Sequence, residues 1–174
     1  INAKTDKISG CNALDKVLVD INITDYDEKI KELYSVLNEL NVEVVTDKKT
    51  QNIIPKSQVI ENDNVWYEEF LAMKILIAPI DGISNAIDYI NKYSGGHSTS
   101  IITEEKSEAA LFMEQIDSAA VYHNASTRFT DGGQMGVGAE LAISTDKLHH
   151  RGPLGLKQLV TNKYYVLGEG HIRE

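Results

Sequence analysis

Apolar positions along the chain recur with two alternating periods, one of strands and one of helices. "KVLVDINI" (Lys16 to Ile23) reads as a strand. The stretch from Tyr26 to Leu40 then places Ile30, Leu33, Leu37 and Leu40 on one helical stripe, with Thr24 and Asp25 in place to cap it. "VEVVT" (Val42 to Thr46) is the next strand, followed by a polar connection, "DKKTQNIIPKSQVIENDN", to which the pattern assigns no element. "KILIAPI" (Lys74 to Ile80) reads as a buried strand and precedes a helix carrying Ile83, Ile87 and Ile90. "SIIT" (Ser100 to Thr103), a helix with Ala109, Met113 and Ile116, and "SAAVYHN" (Ser118 to Asn124) complete the alternation. The pattern predicts an α/β layer structure with mostly parallel strands joined by helical crossovers.

From Ala125 the character changes. "ASTRFTDGGQMGVGAELAIST" is rich in Gly, Ser and Thr and reads as a loop presenting backbone amides and hydroxyls. "GPLGLKQLVTNKYYVLGEGHIRE" then suggests a short helix and a terminal strand. The chain is therefore divided at 1–125, 126–156 and 157–174 into an α/β region, a loop with its return segment and a tail. The Gly132 to Gly138 run, "GGQMGVG", does not meet the dinucleotide fingerprint, because its glycine spacing is wrong and no βαβ unit with a ribose-binding acid surrounds it.

Composition narrows the function classes. The 174 residues are 42% hydrophobic, enough for one domain with a sizeable core. With 26 acidic against 17 basic residues the formal charge is −9, which disfavours nucleic acid or an anionic membrane as partner. A single Cys cannot build a disulfide framework, and the sequence shows no apolar span or leader pattern, so a cytoplasmic setting is expected and the sequons at Asn22 and Asn124 read as chance matches. The chain opens without Met, directly before its cysteine, and is expected to be the carboxyl-terminal part of a longer protein.

That one cysteine, Cys11, stands in "ISGCNALDK", a glycine-preceded polar turn rather than an apolar run. Gly10 permits close backbone approach. A helical turn begun by Asn12 to Asp15 would aim its amides at the sulfur, stabilising a thiolate able to attack an acyl carbon. Arg128, alone in its Gly/Ser/Thr loop, suits bidentate binding of a carboxylate or phosphate, with a surface ion pair as the plainer alternative. His97 in "SGGHSTS" and the pair His149 and His150 are candidate acid-base groups. The Cys, His and carboxylate spacing matches no metal site, and none is expected.

Three segments carry a family resemblance: "NAKT...CNALDKVLV", "YSGGHSTSIITE", and "DSAAVYHNASTRFTDGG...GAELAISTDKLHHRGPLGLKQL...KYYVLGEGHIR". Together they resemble the gamma-glutamyl phosphate reductases (glutamate-5-semialdehyde dehydrogenases) of proline biosynthesis, in the aldehyde dehydrogenase superfamily. The resemblance makes 1–125 a catalytic domain with a thiol nucleophile near its start, 126–156 a substrate-anchoring loop and 157–174 a tail with an oligomerisation strand around Asn162 to Gly168. It implies an amino-terminal NADPH-binding domain outside this chain. It implies Cys11 as the nucleophile that displaces phosphate from L-glutamyl 5-phosphate, with NADPH reducing the thioester to glutamate 5-semialdehyde. It places Asn12, His97, Ser98, Asn124, Ser126, Thr127 and Arg128 at the substrate and Glu69 at the cofactor. It further implies a homo-oligomer, a glutamate kinase as partner or fusion, and inactivity of this chain without its cofactor domain. The alternatives are a hydrolytic aldehyde dehydrogenase of the same superfamily and a non-catalytic assembly module.

Overall fold

The computed structural model describes residues 1–147 and 149–173. A one-turn helix α1 (Asn2–Thr5) precedes the Cys11 turn and strand β1 (Lys16–Asp20). Then come α2 (Tyr26–Glu39), β2 (Glu43–Thr46), the one-turn α3 (Lys48–Gln51), the two-residue β3 (Gln58–Val59), a 3-10 turn at Asp63–Trp66, and β4 (Lys74–Ile80). Helix α4 (Gly82–Tyr93), β5 (Ser98–Ile101), α5 (Lys106–Gln115) and β6 (Ala120–His123) follow. A 3-10 turn at Thr127–Phe129, β7 (Glu140–Ser144), β8 (Gly152–Gly155) and a last 3-10 turn at Leu156–Gln158 complete the order.

The main sheet runs β1-β4-β2-β3, every pair parallel, and β5 and β6 form a second parallel pair. The expected α/β architecture is thus observed. β4 lies between β1 and β2, and successive side chains leave it on opposite faces. Ile75 and Ile77 join Ile30 and Leu37 of α2 and Val44 of β2, whereas Leu76 and Ala78 join Phe70, Leu18 and Trp66. Trp66 in turn meets Tyr89 of α4 edge to face, with ring centroids 4.7 Å apart. A third cluster, Ile87, Phe112 and Ile116, packs α4 and α5 against Ile101 of β5 and Val121 of β6.

Several expectations are corrected. Asp25 precedes α2 in a left-handed conformation, φ 56°, and makes no side-chain cap; its carbonyl instead accepts from the Lys29 amide at 2.9 Å. α2 ends one residue before Leu40, which is exposed, because Asn41 turns left-handed at φ 57° and breaks the ladder. In α5 the buried stripe is Ala109, Phe112 and Ile116, and Met113 is exposed; a spacing of three and then four residues fits the facing strands. The polar connection after β2 folds into α3, β3 and the Asp63–Trp66 turn, its amides claimed partly by the Asp47 carboxylate. The region expected to be a loop contains an antiparallel hairpin, β7 with β8.

The tail strand does not form within this chain. Asn162 to Gly168 carries no assigned element, and Leu167 is 96% exposed, with Tyr164, Tyr165 and Val166 almost as open. A strand needs a partner to take its hydrogen bonds, and no described strand offers one here.

Leu76 is wholly buried at the centre of the sheet. Leu76→Ala is expected to lower the unfolding free energy by about 3 kcal/mol, read as a shifted midpoint in urea denaturation.

Candidate active site

Two hydrogen-bonded turns, closed by Gly10 N to Lys7 O at 3.1 Å and Ala13 N to Gly10 O at 2.8 Å, carry Cys11 to an exposed position. The expected helical turn at Asn12 to Asp15 is absent, since β1 begins at Lys16 and draws the chain out into extended form. What holds the base of this loop is a buried ion pair. Lys4, 1% exposed, donates to Asp15 Oδ1 at 3.2 Å, while Asp15 Oδ2 accepts from the Phe70 amide at 3.1 Å. A buried ammonium is tolerated only with such a partner. Leu14 N to Ala3 O, 2.8 Å, closes the same neck.

Asn12, 7% exposed, bridges this loop to the segment after β6. Its amide nitrogen donates to Thr130 O at 2.8 Å and, more weakly, to Arg128 O at 3.4 Å, and its Oδ1 accepts from Arg128 Nη1. Thr127 Oγ1 donates back to Asn12 O at 2.7 Å. Arg128 Nε donates to Asp6 Oδ2 at 3.0 Å, and Ser126 Oγ donates to Asn2 Oδ1 at 2.8 Å, so α1 and its exit are stitched to the same turn. A Cβ on Gly10 would stand 2.9 Å from Arg128 Nη1 and 3.0 Å from Asn12 Oδ1. Glycine lets the guanidinium lie against both residues that flank Cys11.

Behind the bridge runs a chain of hydroxyls. Thr130 Oγ1 lies 2.6 Å from Ser98 Oγ and 2.8 Å from Tyr122 OH, and Ser98 Oγ lies 2.6 Å from His97 Nδ1. His97 Nε2 is buried without a hydrogen-bond partner among the described residues. Burial pushes the His97 pKa below its ordinary 6.5, against the opposing influence of the Glu69 and Glu140 carboxylates.

Of the residues expected at the site, Cys11, Asn12, His97, Ser98, Ser126, Thr127 and Arg128 are brought into one connected group. Asn124 is not. It turns left-handed at φ 51°, and its amide group is spent on Thr103, accepting from N at 3.1 Å and donating to O at 3.0 Å. Glu69 is exposed on the segment beside Phe70, which Asp15 ties to the cysteine loop, and its charge is felt at His97. The glycine-rich run does not present its amides outward: those of Gly133 and Gln134 bond Asp131 Oδ1, and those of Met135 and Val137 bond Asp131 O and Gly132 O.

Sequence reasoning missed Asn2, Asp6, Tyr122, Thr130 and Asp131. With Arg128, Phe129 and Gln134, the residues Asn2, Asp6 and Asp131 line a cleft of about 360 Å3. Thr130 and Asp131 lie inside the "NASTRFTDGG" motif, a signal that was available; Asp6 had none. Among the described residues no cluster of three His, Cys, Asp or Glu side chains could hold a metal ion, and no helix is long and apolar enough to cross a membrane.

The parallel sheet with flanking helices, with the cysteine turn leading into its edge strand, has the fold of aldehyde dehydrogenase-like domains. Aldehyde dehydrogenase 21 of Physcomitrella patens, solved with the reaction product succinate, shares the fold at a TM-score of 0.54 and 14% identity, over 72% of this chain and 34% of that one. The chain's curated homologues over its whole length are gamma-glutamyl phosphate reductases. That of Dictyoglomus thermophilum is 49% identical over 174 residues, all of this chain and 41% of that protein, and that of Thermotoga maritima is 48% identical over the same shares. The crystal structure of the Thermotoga maritima gamma-glutamyl phosphate reductase matches at a TM-score of 0.91 with 47% identity, over 100% of this chain and 41% of that one. The Saccharomyces cerevisiae gamma-glutamyl phosphate reductase matches at 0.53 and 29%, over 78% and 33%. No protein-family model matches the chain. The chain thus spans about two fifths of the length of the curated relatives it matches.

The His97 pKa shift makes stability pH-dependent. Between its lowered folded value and 6.5 the unfolded chain binds more protons, so stability rises with pH across that window and is lost on acidification. His97→Gln is expected to flatten this dependence, measured as the difference between melting temperatures at about pH 5 and about pH 7.5.

Proposed function

We propose that this chain is the thiol-bearing catalytic part of a gamma-glutamyl phosphate reductase, acting in proline biosynthesis on L-glutamyl 5-phosphate. The observation that carries the reading is an exposed cysteine whose two neighbours in sequence are both touched by one arginine. Near-half identity with reductases of that name, along the entire chain, supports it. The Cys11 thiolate attacks the acyl carbon, the carbon–oxygen bond to phosphate breaks, and phosphate departs with the electron pair, leaving a thioester. Arg128, held by Asp6 and Asn12, keeps guanidinium donors free to orient the substrate.

NADPH is the cofactor implied, and its hydride would reduce the thioester to the aldehyde. The residues present fit a limited share of that group. The exposed Glu69 carboxylate suits ribose hydroxyls, while the glycine-rich run has spent five of its amides internally and offers no phosphate cradle. The rest of the cofactor site is assigned to protein outside these residues. Hydroxyls of Ser98 and Thr130 and the half-buried His97 form a fixed polar wall beside the cysteine loop. The setting consistent with this chemistry is the cytoplasm, and a glutamate kinase is the partner or fusion that would supply the substrate.

In a full-length protein containing this chain, NADP reduction by glutamate 5-semialdehyde is expected to require inorganic phosphate and to be abolished by Cys11→Ser, while the 174-residue chain alone shows no turnover. Equal rates without phosphate would make water the acyl acceptor and overturn the assignment.

The tail belongs to the same proposal. Tyr164 to Leu167 expose contiguous apolar side chains, with backbone groups that no described strand pairs, and this suits addition to the sheet edge of a second copy. Truncation after Gly155 is expected to lower the oligomeric state of the full-length protein in light scattering; an unchanged mass would remove the pairing.

A further inference from the structure

The cleft beside Arg128 has a charge pattern that a simple anion site would not have. Its wall holds one cation, Arg128, two carboxylates, Asp6 and Asp131, and the amide side chains of Asn2 and Gln134. Neither carboxylate is fully spent. Asp6 gives one oxygen to Arg128 Nε at 3.0 Å. Asp131 Oδ1 is fixed by the amides of Gly133 at 2.9 Å and Gln134 at 3.1 Å, and Oδ2 has no bond among the described residues. On Arg128, Nε and one Nη1 hydrogen are committed to Asp6 and Asn12, which leaves three donors.

A ligand bearing only a carboxylate would meet Arg128 together with two like charges. One bearing only an amine would satisfy the aspartates and leave the guanidinium unused. A group carrying both, a single carbon apart, answers both sides of the cleft. We propose that this cleft recognises the α-amino-acid head group of the substrate, Arg128 taking the carboxylate and Asp6 with Asp131 taking the ammonium. The inference rests on the glutamyl-phosphate reading above and assigns the specificity within it. The guanidinium donates to Asn12 and fills the space where a Gly10 side chain would stand, next to both neighbours of Cys11, and under this assignment a head group on its outer side directs the substrate's side chain toward that cysteine. Asp6 thereby makes the exit of α1 part of the substrate site, although it lies 122 residues from Arg128 in sequence.

The test reads protection of Cys11 from iodoacetamide in a full-length protein containing this chain, by mass spectrometry of the Cys11 peptide, with L-glutamate, glutarate and 4-aminobutyrate as probes. L-Glutamate is expected to protect at about tenfold lower concentration than glutarate, which lacks the ammonium, or 4-aminobutyrate, which lacks the α-carboxylate. Asp131→Asn keeps an oxygen for the two loop amides and removes the charge. It is expected to bring L-glutamate level with glutarate, and Asp6→Asn to do the same. The proposal is overturned if glutarate protects the unmodified protein as well as L-glutamate does, if none of the three protects, or if both variants keep the tenfold preference. Phosphate-independent turnover in the earlier assay would remove the acyl-phosphate reading and leave this discrimination standing. Phosphate-dependent turnover with no glutamate preference would remove only the head-group assignment.

Discussion

Asn12 ties two pieces of chain more than a hundred residues apart, and the site is organised around that tie. Its amide nitrogen reaches the carbonyl of Thr130, its oxygen holds the Arg128 guanidinium, and its own carbonyl accepts from Thr127. With the weaker bond to the Arg128 carbonyl, both hydrogens of the side-chain amide and one lone pair of its oxygen are engaged, and being buried the side chain gains little alternative from water. Removing the tie would release at once the turn that presents Cys11, the guanidinium beside it, and the backbone of the residue at the centre of the hydroxyl chain. The buried Lys4–Asp15 pair does a related task at the neck of the loop, where Asp15 also fixes the Phe70 amide next to Glu69. Nucleophile and proposed cofactor contact are thereby referred to one carboxylate.

The sheet supplies the frame for these contacts. β4 is buried on both faces, and its parallel partners β1 and β2 leave the cysteine loop at one edge, where β1 begins. β5 and β6 bring Ser98 and Tyr122 to Thr130 because the parallel register, Ser98 opposite Ala120 and Ser100 opposite Tyr122, puts both side chains on the same face of the pair. The charge pattern of the cleft follows from the same convergence: Asp6 comes from the exit of α1, Arg128 and Asp131 from the segment after β6. Under the proposed assignment, selectivity for an amino acid arises where the two ends of the fold meet.

Secondary structure was largely legible because local periodicity encodes it. Lys74–Ile80 is observed as expected, and α2 begins at Tyr26 as read from its stripe. The misses have local causes. Asp25 and Asn41 sit in left-handed conformations that no apolar period reports, and in α5 the strands decide whether Phe112 or Met113 turns inward. The β7–β8 hairpin was hidden by a composition that also suits loops. Within the candidate site, Cys11, Arg128 and the residues around them were flagged by chemical type and by resemblance.

The sequence alone determined the α/β alternation, the single accessible thiol in a glycine turn and the family to which the motifs point, since each is written in neighbouring residues. Tertiary structure alone decided that Asn12 serves as a bracket, that Asn124 is spent on Thr103, that the glycine-rich amides turn inward, and that Asp6 faces Arg128. Those are pairings of polar atoms across 21 to 122 residues in three of the four cases, and hydrogen-bond partners at such separation are fixed by how the layers pack. A periodic pattern records which face a residue takes; it does not record which partner waits there.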